Sequence, residues 1–441
     1  MTDHVGYGAD GTPHRVVVVG AGFGGLNFVA SAKMAGLEIT LIDRQNHHLF
    51  QPLLYQAAIT VLPVTDIAWP IRTLMRDRPD VRVVQAEVCD VDLEAREVRT
   101  HPEGSYPYDT LILSPGSVTS YFGNDQWAAM APGLKTASDA MAIRTRILAA
   151  FEQCEREASG RAPCISIIGG GPTGVELAGM IATLCQKELK DEFRSFNPSD
   201  STIVLIDAAD RLLPNLPDDL SAYGAARLRK MGIQLRLGEK VTGCHEGGVS
   251  LESGNLACDT VIWAAGTRAV PVAKWLGVEA ERGGRVPVSR DLSLPGHGDV
   301  FVIGDCAEVA WKDGKSVPGI APAAKQQGAY LAGLLRHRLG KGRDPGPFVY
   351  RHQGDLATIG PNQAAVDFGW IKLTGRLAWW LWGLAHIYFL IGMRSRIAVL
   401  LHWFWLRLLD RSDARLALAA HDDAGAVPGE DEDENDGQDR S

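Results

Sequence analysis

Two short stretches of the chain carry the residue types and spacings that handle phosphate and ribose. Residues 18–25 read VVGAGFGG and residues 167–174 read IIGGGPTG, each containing a G-x-G-x-x-G pattern. The first glycine of such a pattern permits a tight turn, and the second lets the backbone approach a pyrophosphate. The third lets helix and strand pack closely. Gly20, Gly22 and Gly25 fill these places in the first copy, and Gly169, Gly171 and Gly174 fill them in the second. A carboxylate follows each turn at the end of a second apolar run, Asp43 in one copy and Asp207 in the other. An acid there holds ribose hydroxyls and repels a 2′-phosphate, so Asp207 favours NADH over NADPH, with the nearby Arg211 opposing that preference. Two dinucleotide sites on one chain imply electron transfer between two cofactors. A flavin and a nicotinamide fit, because hydride passes directly between them. Glu176, two residues past Gly174, falls in the first turn of a helix, where the dipole stabilises a carboxylate.

These residues must be positioned by strand–turn–helix units. Residues 15–19 are apolar and β-branched, which predicts a strand buried on both faces. A helix over 26–35, stopped by Gly36, and a strand over 39–42 complete a βαβ unit. Alternating strands are expected across 81–98, and a short strand over 110–114 runs into Pro115 and Gly116. Residues 138–158 predict a long connecting helix, after which strand, turn and helix recur over 165–186. An insertion at 187–201 precedes the next strand, 203–206. Further strands are expected at 234–237, 260–263 and 300–303, the last ending in Gly304 and Asp305, an acid placed to bond the ribityl chain of a flavin. The expected fold class is α/β: two Rossmann-like dinucleotide-binding domains, the second inserted in the first, plus a C-terminal membrane-associating helical region. Residues 14–118 with 297–340 and residues 119–296 are expected to form the two dinucleotide-binding domains. Residues 341–420 are expected to be the membrane-associating region, and 421–441 a disordered acidic tail.

Composition removes several other classes. The chain has 441 residues, 46% hydrophobic and 22% charged, which suits two or three ordinary globular domains. Its net charge is -9, but nine carboxylates and one arginine lie from Asp422 onward. The remainder is therefore near neutral, with no broad basic surface for nucleic acid. Seven cysteines are scattered singly, without C-x-x-C spacing, so neither a metal site nor a close dithiol pair is expected. No basic-then-apolar leader opens the sequence, and the chain is expected to stay in the cytoplasm. Residues 377–393, LAWWLWGLAHIYFLIGM, are apolar but for one histidine, and six tryptophans lie between 370 and 405. That run is short for a span. Its tryptophans and the interrupting Arg394 and Arg396 suit a helix pair lying in the headgroup zone.

The stretches LFQPLLYQAA (49–58), GGGPTGVELAG (169–179), VIWAAGT (261–267) and VFVIGDCA (300–307) together carry a family likeness. With APAAKQQG (321–328) and LATIGPNQAAVDFGW (356–370), the sequence resembles the type II NADH dehydrogenases over nearly its whole length. These are single-subunit flavin-containing NADH:quinone oxidoreductases. The resemblance implies FAD on the first unit, NADH on the second, the nicotinamide stacked on the flavin, and a quinone at the opposite face. It implies cofactor contacts at Val88, Gly116, Asp305, Ala323 and Gly266 beside those of the glycine turns. Glu176 would reach toward the nicotinamide and flavin, with Gln326 and Gln327 as further catalytic residues near the quinone. A homodimer held peripherally on the cytoplasmic side of the inner membrane, pumping no ions, is the implied assembly. Two departures stand out: Pro322 replaces a glutamine of the family pattern, and Pro361 stands where an arginine is usual. Pro322 also suits a first helical turn. His47, His48 and His386 are candidate proton donors, although isolated histidines are more often structural. The alternative function is a soluble NAD(P)H-dependent flavin reductase or diaphorase with a non-quinone acceptor. A dithiol reductase and a redox-regulated binding protein are more distant rivals.

Overall fold

The computed structural model describes residues 12–409, so the expected acidic tail at 421–441 lies outside the described residues. Strand β1 (His14–Val19) enters helix α1 (Phe23–Ser31), and β2 (Leu37–Asp43), β3 (Val81–Gln85) and β4 (Thr110–Leu113) follow. The long helix α2 (Ala137–Glu157) leads to β5 (Cys164–Ile168), α3 (Pro172–Thr183), β6 (Thr202–Asp207), β7 (Gln234–Leu237) and β8 (Thr260–Trp263). The chain then returns through β9 (His297–Val302) to helix α4 (Ala321–Arg338).

These strands form two parallel sheets. The first runs β9-β4-β1-β2-β3, with Ser293–Leu294 antiparallel at its edge. The second runs β7-β6-β5-β8. Val18 pairs with Leu41 on one side and Ile112 on the other, and Ile167 pairs with Leu205 and Ile262. The central strands of both sheets are buried on both faces, which is why their sequences are continuous apolar runs rather than alternating ones. Because β9 returns to the first sheet after the whole second sheet has formed, the second unit is inserted in the first.

The first helix starts at Phe23, three residues earlier than its apolar pattern suggests, so Gly24 and Gly25 lie inside its first turn. It stops at Ser31, because Ala32 leaves helical geometry and Gly36, at φ +80°, makes the turn into β2. Pro322 is in the first turn of α4, where its missing N–H costs no helical bond.

Beyond α4, strands β10 (Asp355–Thr358), β11 (Ala364–Asp367) and β12 (Lys372–Thr374) make an antiparallel sheet. Helices α5 (Gly375–Phe389) and α6 (Met393–Leu409) follow, separated by a bend at Gly392 with φ +82°. Their inner faces pack Ala378, Trp382 and Val399 into the protein. Their outer faces leave Leu377, Trp380, Leu384, Ile397, Leu401, Phe404 and Trp405 at least half exposed. Among the described residues, no helix is long and apolar enough to cross a membrane.

Candidate active site where the two glycine turns meet

Each glycine turn is fixed by contacts that only glycine permits. Gly20 has φ +96° and Gly169 φ +117°, both in the left-handed region. A Cβ on Gly25 would strike the carbonyl oxygen of Gly20, and one on Gly174 would strike that of Gly169. The third glycine of each motif therefore lets helix and strand close upon each other. The middle glycines, Gly22 and Gly171, are different: a Cβ there would meet no atom within 4 Å. They face open space at a helix N-terminus, which is the cradle a pyrophosphate requires.

The two acids repeat one another atom for atom. Asp43 accepts hydrogen bonds from the N–H of Ala21 at 2.6 Å and of Gln45 at 2.7 Å. Asp207 accepts one from the N–H of Gly170 and one from that of Ala209 at 2.7 Å. Each acid thus ties the end of its strand to the glycine turn, and burial raises the Asp43 pKa despite those bonds. Arg211 turns away into its own loop, donating to the carbonyls of Pro214 at 2.7 Å and Leu216 at 2.8 Å and pairing with Asp218. The cation that opposed an NADH preference in the sequence is therefore spent elsewhere.

One cleft of about 460 Å³ runs from the first turn to Pro172 and Thr173 at the start of α3, while Gly169, Gly171, Gly174 and Asp207 lie outside its lining. It is lined by Gly20, Gly22, Asp43, Gly116, Asp305, Pro322 and Glu176, among others. Val88 lies off one end, in a small pocket with Ala86 and Trp275 beside Asp43. Gly266 lines a smaller cavity at the other end with Lys135, Thr173, Glu176 and Trp263. Ala323 is buried in the first turn of α4, next to Pro322 and Ala324 on the cleft wall.

Gln326 and Gln327 do not line this cleft. Gln327 is buried and accepts the N–H of Gly304 at 2.6 Å, and so props the turn that presents Asp305. The Gln326 amide clamps the backbone of Arg351, donating to its carbonyl at 2.9 Å and accepting its N–H at 3.0 Å. In the structure both amides hold backbone, Gln327 that of Gly304 and Gln326 that of Arg351.

Glu176 is 8% exposed, and burial pushes its pKa up to about 8. The N–H of Thr358 reaches its carboxyl at 3.4 Å, a long contact that offsets little of that desolvation. The acid begins a chain of polar groups that sequence reasoning missed. The Tyr55 hydroxyl meets Thr358 Oγ1 at 3.2 Å, Gln56 Nε2 donates to Tyr55 at 3.0 Å, and Trp403 Nε1 on α6 donates to Gln56 Oε1 at 2.8 Å. The stretch containing Tyr55 and Gln56 had signalled the family, but nothing in its spacing marks these partners.

Two of the three candidate histidines, His48 and His386, are poor proton donors. His48 is buried with Nδ1 on the carbonyl of Ala21 at 2.9 Å, and His386 bonds the carbonyl of Trp382 at 2.8 Å. Desolvation pulls both pKa values down to about 4, so both are neutral near pH 7. His47 lines the cleft and meets Asn46 Oδ1 at 2.9 Å. Pro361 borders a separate cavity beside Trp379, Trp382 and Trp403. All seven cysteines are free thiols, and burial raises the pKa of Cys164 to about 11 and of Cys185 and Cys258 to about 12. Such thiols are inert at neutral pH, which disfavours the dithiol rival. Among the described residues, no group of three or more His, Cys, Asp or Glu is arranged to hold a metal.

Two parallel sheets, each ending in a glycine turn clasped by an acid, with Pro172, Thr173 and Glu176 of the second unit facing the cleft of the first turn, define a two-dinucleotide oxidoreductase. Accordingly, the family "Pyridine nucleotide-disulphide oxidoreductase" matches residues 14–328. The chain is 39% identical over 411 residues to the type II NADH:quinone oxidoreductase Ndh of Mycobacterium tuberculosis, covering 88% of this chain and 87% of that one. It is 38% identical over 435 residues to NdhA of the same organism, covering 93% and 91%. The fold matches NDH2 from Plasmodium falciparum, solved in complex with NADH, with a TM-score of 0.83 at 20% identity, over 92% of this chain and all of that one. The chain belongs to the type II NADH:quinone oxidoreductases, flavoenzymes that carry electrons from NADH to a quinone.

Proposed function

We propose that FAD is the resident flavin, held by the first unit (14–118 and 297–340), and that NADH visits the second (119–296). The observation that carries this is the pair of equivalent clasps, Asp43 with Ala21 and Asp207 with Gly170, together with a cleft that runs from the first turn to Pro172, Thr173 and Glu176 of the second unit. Gly20, Gly22 and Gly25 would cradle the FAD pyrophosphate, Asp43 its ribose, Val88 its adenine and Asp305 its ribityl chain. Gly116 and Ala323 would close the cleft around it. Gly169, Gly171, Gly174 and Asp207 would take NADH in the same manner, with Gly266 allowing close approach beside Trp263. The flavin would supply the two-electron chemistry; the chain aligns the two rings and excludes water. Glu176 would border the nicotinamide, and Gln327 would act through Gly304.

The exposed apolar faces of α5 and α6 support peripheral attachment to the cytoplasmic face of the inner membrane, where a quinone is reached from the bilayer. The region 341–420 is also proposed to hold the homodimer contact. The test is direct. Purified protein should be yellow, bleach with NADH, and regain its colour with a short-chain quinone. Flavin that stays reduced with every quinone refutes the acceptor assignment, and colourless protein refutes the resident cofactor. Light scattering in detergent checks the dimer.

A further inference from the structure

Lys135 is the least explained residue of the cleft. It precedes helix α2, whose start is fixed by a capping box between Thr136 and Asp139. Its own backbone is held on both sides: its N–H donates to Asp139 Oδ2 at 2.9 Å, and its carbonyl accepts from Gln51 Nε2 at 3.2 Å. The side chain lines both the main cleft and the smaller cavity that contains Thr173 and Glu176. Its Nζ donates to Ser117 Oγ at 2.9 Å, and that hydroxyl donates to Asp305 Oδ2 at 2.5 Å. Among the described residues no other hydrogen bond or ion pair holds the ammonium, so two of its three donors are unspent.

The placement of charge makes this unusual. The cleft is lined by three carboxylates, Asp43, Glu176 and Asp305, and by one other lysine or arginine, Arg44. Arg44 borders the pocket of Ala86 and Val88, at the far end from Glu176. Where the two units meet, Lys135 is the one lysine or arginine among the described lining residues. Desolvation pulls its pKa down, and Asp305 opposes that shift. Lys135 is only half-buried, and its free donors face the cleft, where a ligand could use them.

We propose that Lys135 is the fixed positive charge against which the negative charge of hydride transfer develops, with Ser117 and Asp305 as its positioning residues. This rests on the assignment of a flavin to the first unit. A hydride leaving the dihydronicotinamide carries its electron pair into a new N–H bond on the flavin, so NADH becomes NAD+ and the flavin ring gains one negative charge. An ammonium already anchored through Ser117 and the capping box meets that charge without reorganising. Asp305, one hydroxyl removed, opposes the desolvation of the ammonium without occupying its two free donors.

The test uses the holoenzyme and sulfite, which adds to an oxidised flavin and leaves the same single negative charge with no NADH present. Lys135→Met is expected to weaken sulfite binding about tenfold or more, the size of one partly screened charge contact. The two-electron midpoint potential should fall alongside, by about 30 mV for each tenfold change. Lys135→Arg should restore most of both. Unchanged sulfite affinity and potential in a yellow Lys135→Met protein overturn the proposal and leave Lys135 a structural anchor. If Lys135→Met emerges without flavin, Ser117→Ala decides: a smaller shift in the same direction supports the proposal, and no shift overturns it. Wild-type protein without a flavin spectrum would instead remove the cofactor assignment, a separate failure.

Discussion

Replacing Glu176 with glutamine should make the protein more stable, increasingly so as pH rises. The carboxyl is 8% exposed, and burial moves its pKa from 4.5 to about 8. At about 1.4 kcal/mol per pH unit, ionising it inside the fold costs on the order of 5 kcal/mol. Below about pH 4.5 the acid is protonated in both folded and unfolded chains, and it costs nothing. As pH rises toward 8 the unfolded chain releases the proton while the folded one keeps it, so stability is lost across that window and levels off above it. Glutamine keeps the shape and an acceptor for the Thr358 N–H but has no proton to lose. Glu176→Gln should therefore match wild type near pH 4.5 and exceed it by roughly 3 kcal/mol at pH 7. The assay is denaturation of both flavin-loaded proteins at several pH values between 5 and 9. A stability difference that does not widen with pH refutes the reasoning. The same carboxyl should govern NADH. A nicotinamide that excludes water from Glu176 favours its neutral form, so NADH affinity in the wild type should decline above about pH 8. Glu176→Gln should retain FAD, lose that pH transition and show altered NADH-driven turnover; superimposable kinetics would return Glu176 to a structural role.

Other perturbations separate the two cofactor sites. Gly174→Ala drives a Cβ into the Gly169 carbonyl, so NADH Kd should rise at least about tenfold while the flavin spectrum persists. Asp207→Ala should narrow the gap between NADH and NADPH, read as the ratio of their kcat/KM values, because Arg211 remains bound to its own loop. Gln327→Ala leaves the Gly304 N–H without its acceptor and should cost about 1–3 kcal/mol, seen as a lower Tm and easier loss of flavin. Charge placed on the outer face of α6, as in Leu401→Glu with Phe404→Glu, should abolish co-flotation with phospholipid vesicles while NADH still reduces the flavin.

The two parallel sheets were legible because each glycine turn comes with its own strand, helix and acid, all local in sequence. Strand periodicity worked for residues 15–19 and 203–206 since both-face burial leaves a continuous apolar run. The first helix boundary was missed because glycine has low helix propensity, while the close contact of Gly25 with Gly20 needs glycine inside the helix. The glutamines show a different limit. Residue type and family pattern placed Gln326 and Gln327 near the chemistry, but an amide engages whatever backbone its rotamer meets, and here that is Arg351 and Gly304. Lys135 and Thr358 were invisible for the same reason: their importance comes from partners 18 and 182 residues away, Ser117 and Glu176.

The contact between Trp403 and Gln56 bears on how this protein could be re-engineered. A hydrogen bond across 347 residues joins α6 to the segment beside the cleft. These helices therefore act as a keystone besides the membrane attachment proposed for them. Clipping them to obtain a soluble enzyme would strip the Gln56 carbonyl of its donor and uncover Tyr55, which stands against Thr358 and so against Glu176. A water-soluble version would have to keep both helices, exchange only their outward-facing side chains, and leave Trp382 and Trp403 where they stand.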